Sequence, residues 1–108
     1  MPALLIADIE VTDAAGYEEY QRRVPAYVAA YDGRFLLRGG QTRVLEGSWP
    51  AHRLVVIEFP SMARLQAFYD SAEYATLKSL RMHASDSRII AVEDDGPAST
   101  GGTPSRTG

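Results

Sequence analysis

The chain has no cysteine among its 108 residues. Disulfides, a thiolate nucleophile and cysteine-based metal sites are therefore excluded. Lysine is nearly missing as well: Lys78 is the sole example, so the cations are almost all Arg. No cluster of them is larger than the pair Arg22 and Arg23, and the net charge is −3. A nucleic-acid binder needs a basic patch or stripe, so that class of partner is excluded. No apolar run approaches the ~18 residues of a membrane span. The opening residues, MPALLIADIEV, carry no basic segment and reach Asp8 early, unlike a signal peptide. A soluble, cytoplasmic protein with no membrane partner is expected. Histidine is scarce too. His52 and His83 are far apart with no paired spacing, so neither a metal site nor a cofactor is assigned.

What remains is ordinary globular material. Hydrophobic residues make up 45% and charged residues 23% of the chain, which fits one domain with a modest core. Residues 3–11 alternate in the manner of a strand: Leu5, Ala7, Ile9 and Val11 form one apolar parity, and Leu4, Ile6, Asp8 and Glu10 the other. Thr12 and Asp13 can cap a helix over residues 14–31, whose inner stripe holds Tyr17, Tyr20, Val24, Tyr27, Val28 and Tyr31. Pro25 lies inside it and predicts a kink. Asp32-Gly33 ends it, with Gly33 free to turn left-handed. Residues 34–38 form a second strand. Gly39-Gly40 breaks it, with a resumption expected at 42–45 after a bulge or bend. Residues 47–50 form a turn, and 52–59, with the run Leu-Val-Val-Ile, form the third strand. Ser61 caps a second helix with Leu65, Phe68 and Tyr69 inward. Asp70-Ser71 interrupts it, 72–84 continue it, and 87–93 form the last strand.

The predicted order is βαββαβ: an α+β, ferredoxin-like unit with an antiparallel four-stranded sheet and two helices on one face. The domain is expected over residues 1–95. Beyond it, residues 96–108 offer no apolar side chain larger than Ala and predict a disordered tail. The sheet's second face is expected to carry Leu4, Ile6, Asp8 and Glu10 with Arg34, Leu36, Arg38, Leu54, Val56, Glu58, Ile89, Ala91 and Glu93. Several large aliphatics side by side mark an interface or a pocket. A second copy stacking its own sheet there by two-fold symmetry covers them most simply.

The chemistry-bearing residues concentrate between Asp32 and Pro60. Arg38 can grip a carboxylate with two parallel bonds, or pair with Asp8 or Glu58. Arg53 stands, like Arg38, at a strand end. Glu46 and Trp49 share the intervening loop, where a carboxylate near an indole can become a raised-pKa acid, or the indole can simply pack on a partner. His52 is the one base of near-neutral pKa close to the sheet, at a position that is often exposed. Tyr69 and Tyr74 flank the helix break and can reach a ligand with their hydroxyls, or serve as core with a wet tip. The glycine pair has no phosphate-loop pattern, and no Ser-His-Asp arrangement is visible.

The segments YEEY at 17–20, Val24-Pro25, YDGRFLLRGG at 31–40, LEGSW at 45–49, RLVVIEFPS at 53–61 and FYDSAEY at 68–74, with Arg81, together resemble the family called domain of unknown function 1330. The resemblance runs over about residues 3–93. It implies a ferredoxin-like fold that pairs into a dimeric α/β barrel. That superfamily includes cofactor-free monooxygenases, muconolactone-type isomerases, haem-degrading or haem-using enzymes and stress-responsive proteins, so fold does not select a chemistry. Three readings stand: a homodimer that binds or converts a small, partly apolar metabolite between its sheets; a non-catalytic stress-related or partner-binding dimer; and a cofactor-free oxygenase or isomerase with His52 as base. The ligand candidates are Arg38, Trp49, His52, Arg53, Glu46, Tyr69 and Tyr74.

Overall fold

The computed structural model describes residues 1–95; the expected tail, 96–108, lies outside the described residues. Seven elements follow one another: β1 (Ala3–Val11), α1 (Ala14–Ala30), β2 (Arg34–Arg38), β3 (Arg53–Phe59), α2 (Met62–Tyr69), α3 (Ala72–Ala84) and β4 (Ser85–Glu93). The strands form one sheet in the order β2-β3-β1-β4, each neighbour antiparallel. This is the α+β ferredoxin-like arrangement.

Local chemistry sets the element ends. Asp13 caps α1, its carboxylate accepting from the Gly16 N–H. Ser61 and Ser71 do the same for α2 and α3, accepting from Arg64 N and Tyr74 N at 3.1 Å each. The expected break at Asp70-Ser71 is therefore a true boundary, and it makes three helices where two were expected. Helix α1 continues through Pro25. At its far end the left-handed residue is Asp32, with φ 65°, not Gly33. Gly33 is needed for a different reason. A Cβ there would lie 2.7 Å from Phe59 Cε2 and 2.9 Å from Val28 Cγ1, both in the core.

The helices cover one sheet face. Ala3, Leu5, Ala7 and Ile9 of β1 and Val55, Ile57 and Phe59 of β3 are buried there. Phe68 of α2 joins the layers, stacking on Phe59 at 5.3 Å and on Tyr74 at 4.4 Å between ring centres.

The pairing corrects the expected second face twice. Directly opposed residues share a face. Ile89 lies opposite Ala7, Ala91 opposite Leu5 and Glu93 opposite Ala3, so all three belong to the helix side. Arg88, Ile90 and Val92 take the open side instead, opposite Asp8, Ile6 and Leu4. β4 is apolar at both parities over Ile89–Val92, so its pattern does not choose. In β2 the register shifts between Phe35 and Leu37. Arg34 lies opposite Glu58 on the open face, but after the shift Leu37 faces Val56 and Arg38 faces Val55. Arg38 therefore belongs to the helix side, because one residue outside the register inverts all that follow it.

The expected resumption at 42–45 does not occur. Gly39 N donates to Leu54 O at 2.8 Å, and the chain then leaves the sheet through Gly39 and Gly40, with φ 95° and 134°. No strand lies between Gly39 and His52.

Gly33→Ala is expected to destabilise the fold by about 1–3 kcal/mol through overpacking against Phe59 and Val28. Phe68→Ala should cost about 3–5 kcal/mol by opening the aromatic core. Urea unfolding measures both. A loss under about 0.5 kcal/mol for Gly33→Ala, the size of an ordinary surface change, would show that the close approach relaxes freely.

Candidate functional site

The layers do not meet everywhere. Between the helix-side sheet residues and α1 and α3 lies a cavity lined chiefly by Leu5, Ile9, Tyr17, Val24, Val55 and Ile57. About 30 Å³ of it admits the centre of a water-sized sphere. The residues with polar groups along it are Gln21, three arginines (Arg38, Arg53 and Arg81) and the tyrosines Tyr17, Tyr20 and Tyr74. No Asp or Glu lines it.

Arg38 and Arg53 sit at one end, brought together by the β2 register shift. Arg53 Nη2 donates to Arg38 O at 2.8 Å. Arg38 stacks over Phe35 at 4.4 Å and makes one long bond, 3.4 Å, to Gln21 O. Arg53 lies 5.8 Å from the Tyr17 ring centre. Its Nε is buried without a partner. Neither guanidinium has a carboxylate within ion-pair distance among the described residues. Gly39 permits this arrangement: besides its positive φ, a Cβ there would stand 2.6 Å from Arg53 Nη1.

At the floor is a cluster of which only Tyr74 is among the sequence candidates. The Tyr20 and Tyr74 hydroxyls are 2.7 Å apart. Arg81, only 2% exposed, donates from Nε to the Tyr74 hydroxyl at 3.4 Å and from Nη1 to Ser87 Oγ at 2.6 Å. Its Nη2 is buried without a partner. Burial, then the neighbouring Tyr74, pushes the Tyr20 phenol well above its ordinary value. A signal was available. Tyr74, Leu77, Arg81 and Ala84 form one buried stripe, and an Arg at core spacing is out of place.

The other candidates lie elsewhere. His52 is on the open side of the sheet, its ring 3.9 Å from both Asp8 Oδ1 and Glu10 Oε1. Its backbone N–H donates to Asp8 at 2.9 Å, tying the long loop to β1. Glu46 and Trp49 line a shallow groove of that loop with Leu45 and Leu54, and Trp49 is exposed. Tyr69 packs beside Tyr74, with Lys78 Nζ 4.0 Å above its ring, outside the cavity. Of the seven candidates the cavity gathers Arg38, Arg53 and Tyr74. Among the described residues no group of three or more acidic or His side chains could hold a metal ion, and no helix is long and apolar enough to cross a membrane.

A model of the family Domain of unknown function (DUF1330) matches residues 2–95, and the chain belongs to that family. None of the curated proteins matches it. Among solved structures, RPA0582 of Rhodopseudomonas palustris, a protein of unknown function, is 20% identical with a TM-score of 0.71, covering 89% of this chain and 84% of its own. A dimeric ferredoxin-like protein of unknown function from Jannaschia sp. CCS1 is 10% identical with a TM-score of 0.60, covering 87% and 100%. SnoaB of Streptomyces nogalater, a cofactor-independent oxygenase, is 11% identical with a TM-score of 0.58, covering 89% and 95%. At such identities the likeness is one of fold.

The Tyr20 phenol yields a pH dependence. An unfolded tyrosine ionises near 10, whereas the native Tyr20 keeps its proton beyond that. The stability this contributes is whole below pH 10 and falls as pH rises past it. Urea unfolding at a series of pH values from about 9 to 11 should show a decline that Tyr20→Phe makes shallower. Parallel curves would mean that Tyr20 titrates as a free phenol.

Proposed function

We propose that this member of the DUF1330 family is a homodimer whose subunits each bind a small, mostly apolar, carboxylate-bearing molecule in the cavity between helices and sheet. One observation carries the reading. A chain with 14 acidic and 11 basic residues lines this apolar pocket with three arginines and no acid. Arg38 and Arg53 stand at the mouth with donors to spare, and a carboxylate accepts paired N–H bonds from guanidinium groups. The apolar lining suits the body of such a ligand. The room as it stands fits about two waters, so a ring-sized guest requires the mouth to open. Arg38 is exposed on an edge strand and weakly held, which suits it to that movement.

The pairing rests on the open face. Leu4, Ile6, Leu54, Val56, Ile90 and Val92 lie on it, with Ile90 61% exposed. An antiparallel sheet meant for water carries polar residues there. The dimeric state of the Jannaschia neighbour favours the same solution. The oxygenase activity of SnoaB is less helpful here. An equivalent role for His52 as base needs its ring toward the cavity, and the ring stands on the other side of the sheet with Asp8 and Glu10. Binding is the reading that the geometry favours.

Titration calorimetry with 4-methylbenzoate should detect binding that Arg38→Met and Arg53→Met each weaken by about tenfold or more, the worth of a charge-assisted bond. Unchanged affinity in both variants would overturn the assignment of the mouth. Light scattering at about ten micromolar should give a dimer, as a specific sheet-to-sheet interface predicts. Ile90→Lys should give a monomer, and a monomeric parent protein would contradict the proposed pairing.

A further inference from the structure

The floor cluster has more donors than the protein can use. Tyr20 and Tyr74 own two hydroxyl protons, and their mutual 2.7 Å bond consumes one. Whichever hydroxyl donates, the other proton has no acceptor among the described residues. Arg81 adds the N–H groups of Nη2, also buried and unpartnered. Its charge has no carboxylate within ion-pair distance among the described residues. The Tyr20 phenol cannot supply the missing negative charge, because burial keeps it protonated. A buried, satisfied core does not look like this.

One row of the sheet links this cluster to the cavity mouth. Arg53 on β3 lies opposite Ile9 on β1, and Ile9 lies opposite Ser87 on β4. Ser87 holds Arg81. The mouth and the floor are thus joined by one transverse row of the sheet, two strand spacings or roughly 10 Å apart at the backbone. Between them the lining is apolar, with Ile9 at the centre of the row and the Tyr17 ring above Arg53. That span suits one six-membered ring with a polar group at each end.

We infer that Tyr20, Tyr74 and Arg81 form a second binding subsite, which receives a hydroxyl, phenolate or carbonyl oxygen at the far end of the carboxylate ligand. This rests on the binding reading given above and narrows it to para-substituted ring acids or molecules of that shape. The guanidinium donates from Nη2 to the incoming oxygen, and the spare tyrosine proton supplies a further donor. A hydroxyl on the ligand can in turn donate to a tyrosine oxygen. The arrangement penalises a methyl group at the same place, since the donors then stay unpaired beside it.

The test compares 4-hydroxybenzoate with 4-methylbenzoate, which match in size and share the carboxylate. Titration calorimetry on the parent protein should give the hydroxyl compound at least a tenfold advantage. Arg81→Met should bring the two affinities within twofold of each other. Tyr20→Phe and Tyr74→Phe keep the rings and should each reduce the advantage several-fold, and they serve if Arg81→Met does not fold. Arg53→Met should weaken both compounds together, with the advantage intact. If both compounds bind equally to the parent protein, or the advantage survives in every folded floor variant, the second subsite is wrong while the mouth stands. If neither compound binds, the cavity reading itself is overturned and the subsite with it.

Discussion

A strand sends its side chains alternately to two faces, and this chain has helix enough for one of them. That constraint orders the rest of the molecule. The helix side must be nearly continuous in apolar residues, which β1 and β3 supply through Ala3, Leu5, Ala7, Ile9, Val55, Ile57 and Phe59. The open side then inherits whatever stands at the intervening positions. Those positions hold Val56, Ile6 and Ile90 in one apolar row, flanked by a row of Glu58, Leu4 and Val92 on one side and a row of Leu54, Asp8 and Arg88 on the other. An apolar row flanked by charge is the pattern of a surface that meets another, while the cavity lies under the helices.

The two roles are separated by a single irregularity. Without the register shift after Phe35, Arg38 would follow Arg34 onto the open face, opposite Leu54. With it, Arg38 crosses to the helix side and meets Arg53. The carbonyl of Arg38 then accepts from the Arg53 guanidinium, and the glycine that follows leaves room for that side chain. A bulge re-aims a side chain at the cost of one unpaired ladder position. Here that re-aiming assembles the cavity mouth.

Much of this was legible in the residues. The elements could be read because their ends carry short-range chemistry: Asp13, Ser61 and Ser71 cap helices wherever they stand in the fold. Faces were legible where a strand alternates, as in β1, and illegible where both parities are apolar, as in β4. The shift in β2 is set by pairing with β3, a long-range property that five residues of RFLLR do not encode. The placement of the candidate side chains was legible only in part for the same reason. Rarity singled out Trp49 and His52, yet rarity says nothing about which side of a sheet a residue takes. Arg81 was overlooked although its stripe, Tyr74-Leu77-Arg81-Ala84, is periodic enough to place it in the core.

Arg81 is also the residue that stability alone does not explain. Taking a guanidinium out of water costs several kcal/mol unless charge and hydrogen bonds compensate it, and a well-packed apolar residue usually serves a core better. The compensation found here is neutral: the hydroxyls of Tyr74 and Ser87. Acids are plentiful in the chain, yet none reaches the cavity lining. An Arg for structural economy would be expected beside a carboxylate, as Arg64 is beside Asp32 at 3.0 Å and Arg34 beside Glu58. Arg53, with its own buried Nε unpartnered, repeats the pattern at the mouth. Two cations held toward one apolar space, each short of acceptors, form an arrangement that an anionic guest completes. The proposed guest would bind the native chain and not the unfolded one, and would raise stability as it bound.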